Sequence, residues 1–223
     1  MGHFCTPIHT RVIWRYDPVI LSSATPVMWH LEQIDRLAST LAGSTGRLVF
    51  SFLDFYGKVN NRLKNLEKAT GVQLMDITAD NRREELQTFI SGLKDIGQSN
   101  GMKLFSCAER EDFSAAGILH GSCIDGDLIR ELFALDRPVS KDKSQREECG
   151  CVASLDMGMY NTCSFRCAYC YANMSEGMIR ANLAKHVPNS AAIINKYDEP
   201  VEKGRERPSI RQEHQQPSLF GES

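Results

Sequence analysis

The stretch Arg47-Leu48-Val49-Phe50-Ser51-Phe52-Leu53 is apolar almost throughout and stops at an acid, Asp54. A short run rich in β-branched and aromatic residues, bounded by turn formers, reads as a buried strand. Working outward, Val12-Ile13-Trp14-Arg15-Tyr16 has the same character and is closed by Asp17-Pro18. Between these runs Leu31, Ile34, Leu37, Ala38 and Leu41 recur at helical spacing, after Thr25 as cap and Pro26 at the first position. Gly43 and Gly46 end that helix. After a less regular stretch, Leu86, Phe89, Ile90, Leu93 and Ile96 lie on one face of a helix starting near Asp80. Asn100-Gly101 breaks it before the third strand, Met102 to Cys107, and another helix is expected over Asp127 to Phe133. Strands alternating with helices at this spacing predict parallel βαβ units in an α/β fold. Three or four units do not close an eightfold barrel, so the expectation is a partial (β/α) barrel-like parallel sheet, or an open one.

Each strand delivers polar groups at its carboxyl end: Arg15 and Asp17, then Asp54, then Cys107 and Glu109. In barrels and open α/β sheets that edge carries the chemistry. Asp17, Glu109 and Arg15 are therefore expected to contact cofactor or substrate. The plainer alternative is that strands end in turns, and turns are polar.

Composition narrows the function. Lys plus Arg (26) against Asp plus Glu (28) gives a net charge of −2, which does not support sequence-independent coating of nucleic acid. No apolar run approaches the roughly eighteen residues that span a bilayer. The first residues lack the basic start and apolar stretch of a secretory signal, although Gly2 and Thr6 match the loose myristoylation pattern. A cytosolic chain interacting with no membrane is expected.

The eight cysteines are the informative count: Cys5, Cys107, Cys123, Cys149, Cys151, Cys163, Cys167 and Cys170. Clustered thiols in a reducing compartment are more often metal or iron–sulfur ligands than disulfides. Cys163, Cys167 and Cys170 form a C-x3-C-x2-C triplet with Tyr169 before its last thiol. Three such thiolates can each ligate one iron of a cubane cluster, leaving the fourth iron open to an amine and a carboxylate. A four-thiolate zinc site using Cys149 and Cys151 with two later thiols is the competing reading. Cys107, Cys123, Cys149 and Cys151 are the right number for a second cluster, although Cys107 and Cys123 also suit small buried hydrophobes. Cys5 lies outside both groups. Lys141, Lys143 and Arg146 precede the cysteine region and read as a solvated loop or as partners of an anion. None of the six histidines has ligand spacing, and Trp14 and Trp29 are most simply core.

The triplet resembles the signature of the radical S-adenosylmethionine superfamily, and the string from Cys163 to Asn173 is similar to its spore photoproduct lyase-like branch. That resemblance implies a 4Fe-4S cluster on Cys163, Cys167 and Cys170. It also implies S-adenosyl-L-methionine on the open iron, Tyr169 and Asn173 near the cofactor, and one-electron reductive cleavage. A reductant protein such as flavodoxin or ferredoxin would supply the electron. The chain from about Arg11 to Ser190 also resembles an uncharacterised bacterial family catalogued as domain of unknown function 1848. The matching strings are Arg15-Tyr16-Asp17-Pro18, Cys107-Ala108-Glu109, Lys141-Asp142-Lys143, Gln145-Arg146, Cys149-Gly150-Cys151 and Asp156 to Cys163. Relative to typical radical enzymes the triplet comes late, as in a permuted barrel, and the family's N-terminal segment is missing. An inactive or split version, or a non-catalytic iron–sulfur, zinc or electron-transfer module, is the alternative implied.

The organisation expected is an N-terminal extension (1–10), the partial barrel (11–140), a cysteine-rich iron–sulfur segment (141–190) with a helix over Ser175 to His186, and a disordered tail (191–223). Within the tail, Gln216-Pro217-Ser218-Leu219-Phe220 is similar to the pentapeptide by which bacterial DNA-maintenance proteins dock on the sliding clamp. Such a partner would favour a nucleic-acid substrate.

Overall fold

The structure, a computed structural model, describes residues 11–135, 140–155 and 157–195. Four strands, β1 (Trp14–Val19), β3 (Arg47–Phe52), β5 (Lys103–Cys107) and β6 (Leu119–Gly121), form one parallel sheet in that order. A second, two-stranded antiparallel sheet pairs β2 (Leu21–Ser22) with β4 (Leu74–Met75). The helices are α1 (Val27–Leu41), α2 (Gly57–Thr70), α3 (Arg83–Ser99), α4 (Gly126–Phe133) and α5 (Glu176–Leu183). The expected α/β class and parallel sheet are therefore present. The four strands stand side by side in chain order, and the sheet they form is open.

The chain divides into two compact units. One comprises Met1–Gly158 with Phe165–Ala172, and the other Met159–Ser164 with Asn173–Ser223. The sheet lies wholly in the first. Its centre is β3, where Leu48, Val49, Phe50 and Phe52 are all buried, so both faces of the strand are covered, as parallel sheets require. Ile34 and Ala38 of α1 and Leu86, Phe89 and Leu93 of α3 pack on this core. Phe50, Phe52, Phe89 and Phe113 meet there with ring centroids 5.5–6.4 Å apart. Edge-to-face geometry adds to the area such rings bury.

Several details differ from the sequence reading. Pro18 does not close β1; the strand runs through it to Val19, with a register shift between Tyr16 and Val19. A residue without an N–H is tolerated because β1 is an edge strand. Pro26 occupies the cap of α1, while the Thr25 hydroxyl donates to the Ile20 carbonyl at 2.8 Å. Trp29 is exposed and Trp14 only half-buried against the core. The stretch after β3 holds a complete helix, α2, which polar composition hid: of its residues only Val59 and Leu63 bury an apolar side chain. At the carboxyl end Ser175 caps α5 by accepting from Met178 N–H, and the helix ends at Leu183. The N-terminal extension, most of the tail and the Gln216–Phe220 peptide lie outside the described residues.

Phe50 touches the most core rings at full burial. Phe50→Ala should cost about 3–5 kcal/mol in chemical denaturation, the range for removing a buried phenyl. An exposed control such as Phe133→Ala should cost about 0.5 kcal/mol or less.

Candidate functional site

Parallel pairing lines up the carboxyl ends of the strands. Arg15 is opposite Val49, Tyr16 opposite Phe50, Phe50 opposite Ser106, and Cys107 opposite Gly121. Because β1 runs on to Val19, Arg15 is its second residue and stands level with Val49 rather than at the strand's carboxyl end as expected. Its side chain still reaches Asp17, and Asp17, Ser51 and Cys107 come level across the sheet, with Glu109 just past β5. Asp17 accepts two hydrogen bonds from the Arg15 guanidinium and a short one from the Ser51 hydroxyl. Arg15 also donates to the Cys107 sulfur. Burial opposes charge on Arg15, but its hydrogen bonds to Asp17 and Cys107 outweigh it and hold the guanidinium more firmly protonated than usual.

Glu109 leaves the sheet just after Cys107, past Ala108 in the left-handed region (φ 55°), an uncommon conformation for alanine. Its Oε1 accepts from the Phe52 N–H at 2.8 Å. Burial is the main influence on its carboxyl and raises it to about 7; the Phe52 amide pulls it down, and nearby Asp54 pushes it further up. Asp54 is itself paired with Arg146 at 2.7 Å, so Arg146, exposed on its loop as expected, also meets a carboxylate at this edge.

Four of the cysteines converge here. Cys107 and Cys123 have their sulfurs 3.1 Å apart, both as free thiols. Cys149 and Cys151 arrive on a segment joined to the end of β6 by Val152 N–H to the Ile124 carbonyl (3.1 Å), with Ile124 N–H directed at the Cys151 sulfur (3.4 Å). The Cys149 sulfur accepts from the Cys151 N–H and lies beside its thiol. The glycine between them is required by this approach: a Cβ on Gly150 would sit 2.5 Å from Ser122 Oγ and 3.3 Å from the Gly121 carbonyl. Gly121 in turn admits no Cβ, which would lie 2.9 Å from the Ser106 carbonyl. Cys107, Cys149 and Cys151 are buried, whereas Cys123 is exposed, contrary to the expectation of a small buried hydrophobe.

The triplet is divided between the units. Cys167 and Cys170 bracket a turn closed by Cys170 N–H to the Cys167 carbonyl at 3.0 Å. Between them, Ala168 packs on Leu53, Val59 and Leu63, and Arg62 donates to the Cys170 carbonyl. Helix α2, absent from the sequence reading, is thus the seat of the turn. Tyr169 lies within electrostatic reach of Asp17, and burial raises its hydroxyl above the ordinary range. Cys163 belongs to the second unit and is exposed. There the buried Asn173 donates from Nδ2 to the Cys163 carbonyl at 2.8 Å, and the buried Asn161 side chain accepts from Met174 N–H. Three thiols are a donor set that suits a cluster chemically. Among the described residues, no three His, Cys, Asp or Glu side chains are placed to hold a metal ion.

Two polar residues of the first unit were not picked out from sequence. Ser51, in the middle of an apolar run, reaches Asp17. Buried His30 bonds the Tyr16 hydroxyl at 2.8 Å and the Ile20 carbonyl at 2.9 Å, a structural role that fixes β1 against α1. Only the serine's place on a strand next to β1 would have signalled it.

A sequence model described as a domain of unknown function (DUF1848) matches residues 6–172 of the 223. The chain belongs to this family. The matched span takes in the whole parallel sheet, all four converging thiols and the full triplet. No curated protein and no solved structure gives a significant match to this family member. No helix among the described residues is long and apolar enough to cross a membrane.

The Glu109 carboxyl gives a pH test. In the unfolded chain it ionises near its ordinary value of about 4.3, and in the folded chain near 7. Between those values the folded chain binds more protons, so this residue's contribution to stability falls as pH rises. Glu109→Gln stays neutral and still offers an oxygen to Phe52 N–H. Its melting temperature, measured against the parent, should therefore gain steadily from about pH 5 to about pH 8. A difference that does not vary with pH would refute the assignment.

Proposed function

We infer that this chain is a radical S-adenosylmethionine-like iron–sulfur enzyme. In this reading Cys163, Cys167 and Cys170 hold a 4Fe-4S cluster, and a substrate occupies the carboxyl edge of the sheet. The observation that carries the reading is the seat of the Cys167–Cys170 turn. It packs through Ala168 on Leu53, the residue that follows β3, and brings Tyr169 within reach of Asp17. The soft donor set and its x3/x2 spacing support the same conclusion. When bound, such a cluster supplies one electron and an open iron for the amine and carboxylate of S-adenosylmethionine.

The chain's own residues then have distinct tasks. Arg62 holds the turn by its backbone carbonyl, which fixes the directions of Cys167 and Cys170. Asn173 does the same for the backbone at Cys163. Arg15, locked between Asp17 and Cys107, presents fixed positive charge to an anionic group at the edge. Glu109, balanced near neutrality, can hold or release a proton at Oε1. The substrate class that fits a nearly neutral chain with one ordered guanidinium at its edge is a small anionic molecule or a single nucleotide unit, rather than a long polyanion.

The test is anaerobic purification or reconstitution, followed by iron and sulfide analysis and chromatography of the S-adenosylmethionine products after reduction by dithionite or flavodoxin. The expected result is about four irons per chain on the triplet and reductive cleavage. Serine at Cys163, Cys167 or Cys170 should remove the visible charge-transfer absorption and bring cleavage down to the no-enzyme background. Iron without cleavage would make the chain an electron-transfer module, and stoichiometric zinc in colourless protein would overturn the reading.

A further inference from the structure

We propose that Cys107 and Cys123 are a redox-active dithiol that closes to a disulfide by exchange with a small-molecule disulfide. The geometry carries this. The two sulfurs lie 3.1 Å apart, about 1 Å more than the roughly 2.05 Å of a disulfide bond. One sulfur is buried at the end of β5, and the other is exposed just beyond β6. Parallel register, with Cys107 opposite Gly121, holds them together although 16 residues separate them. A pair in which one thiol is accessible and the other sheltered behind it is suited to two-step exchange.

The exposed Cys123 sulfur, giving its proton to solvent, attacks the external disulfide R–S–S–R and expels one RS⁻. The Cys107 sulfur, losing its own proton, then attacks the mixed disulfide at Cys123 and expels the second RS⁻. The two cysteines lose two electrons and two protons, and the external disulfide gains them as two thiols. Closure also turns the thiol to which Arg15 donates into a disulfide sulfur, so oxidation reaches the edge where Asp17 and Ser51 sit.

A second cluster on Cys107, Cys123, Cys149 and Cys151 would need these sulfurs at separate corners, whereas the first two touch. The proposal does not rest on the cluster assigned to the triplet, and its test separates the two. Arg110 lies between Cys107 and Cys123, so trypsin places them in different peptides, residues 104–110 and 111–130. Reduced full-length chain is treated with glutathione disulfide under argon, alkylated, digested and analysed by mass spectrometry. The expected product joins those two peptides with loss of both thiols, and it forms equally in the Cys163→Ala/Cys167→Ala/Cys170→Ala chain. Cys123→Ser, at an exposed position, should abolish the cross-link. Cys107→Ser should leave glutathione attached to Cys123. The proposal is overturned if Cys149 or Cys151 cross-links to Cys107 or Cys123 as readily. It is also overturned if both thiols resist alkylation until a chelator strips bound metal.

Discussion

The parallel pairing of β1, β3, β5 and β6 places the carboxyl ends of all four strands on one edge, and it is this alignment that brings Asp17, Ser51 and Cys107 level with one another. Had the pairing been antiparallel, β3 would have run the other way and carried Ser51 toward the opposite edge, away from Asp17. The alignment in turn depends on a core in which β3 is covered on both faces and four phenyl rings interlock. Burial of these rings holds the register, and the register assembles the chemistry.

Arg15 organises the charges at that edge. Its guanidinium lies between a carboxylate and a sulfur, and the hydrogen bonds to both hold it in place. Glu109, a few ångströms along the chain from Cys107, has no such cation as its main partner; burial dominates, and its carboxyl shifts the other way.

The cysteines fall into two structurally different groups. Cys107, Cys123, Cys149 and Cys151 are drawn together from segments far apart in sequence, through glycines that let backbones approach at residues 121 and 150. Cys167 and Cys170 are held by a local turn resting on α2. The first group is a tertiary product, while the second is largely local.

The sequence by itself was enough for the α/β class, for the three long strands and for α1, α3 and α4. These elements follow from apolar periodicity and turn residues, which are local properties. It was also enough to mark the ends of β3 and β5, since a polar group after an apolar run is visible in one dimension, and to single out the C-x3-C-x2-C spacing. Helix α2 was hidden because it buries only two apolar side chains of its own, and the short β6 because three residues carry no period. Only the tertiary structure decided that Ser51 reaches Asp17, that Arg146 pairs with Asp54, and that Cys123 meets Cys107. Each of those contacts depends on strand order and register, which arise from long-range packing and leave no trace in the spacing of neighbouring residues.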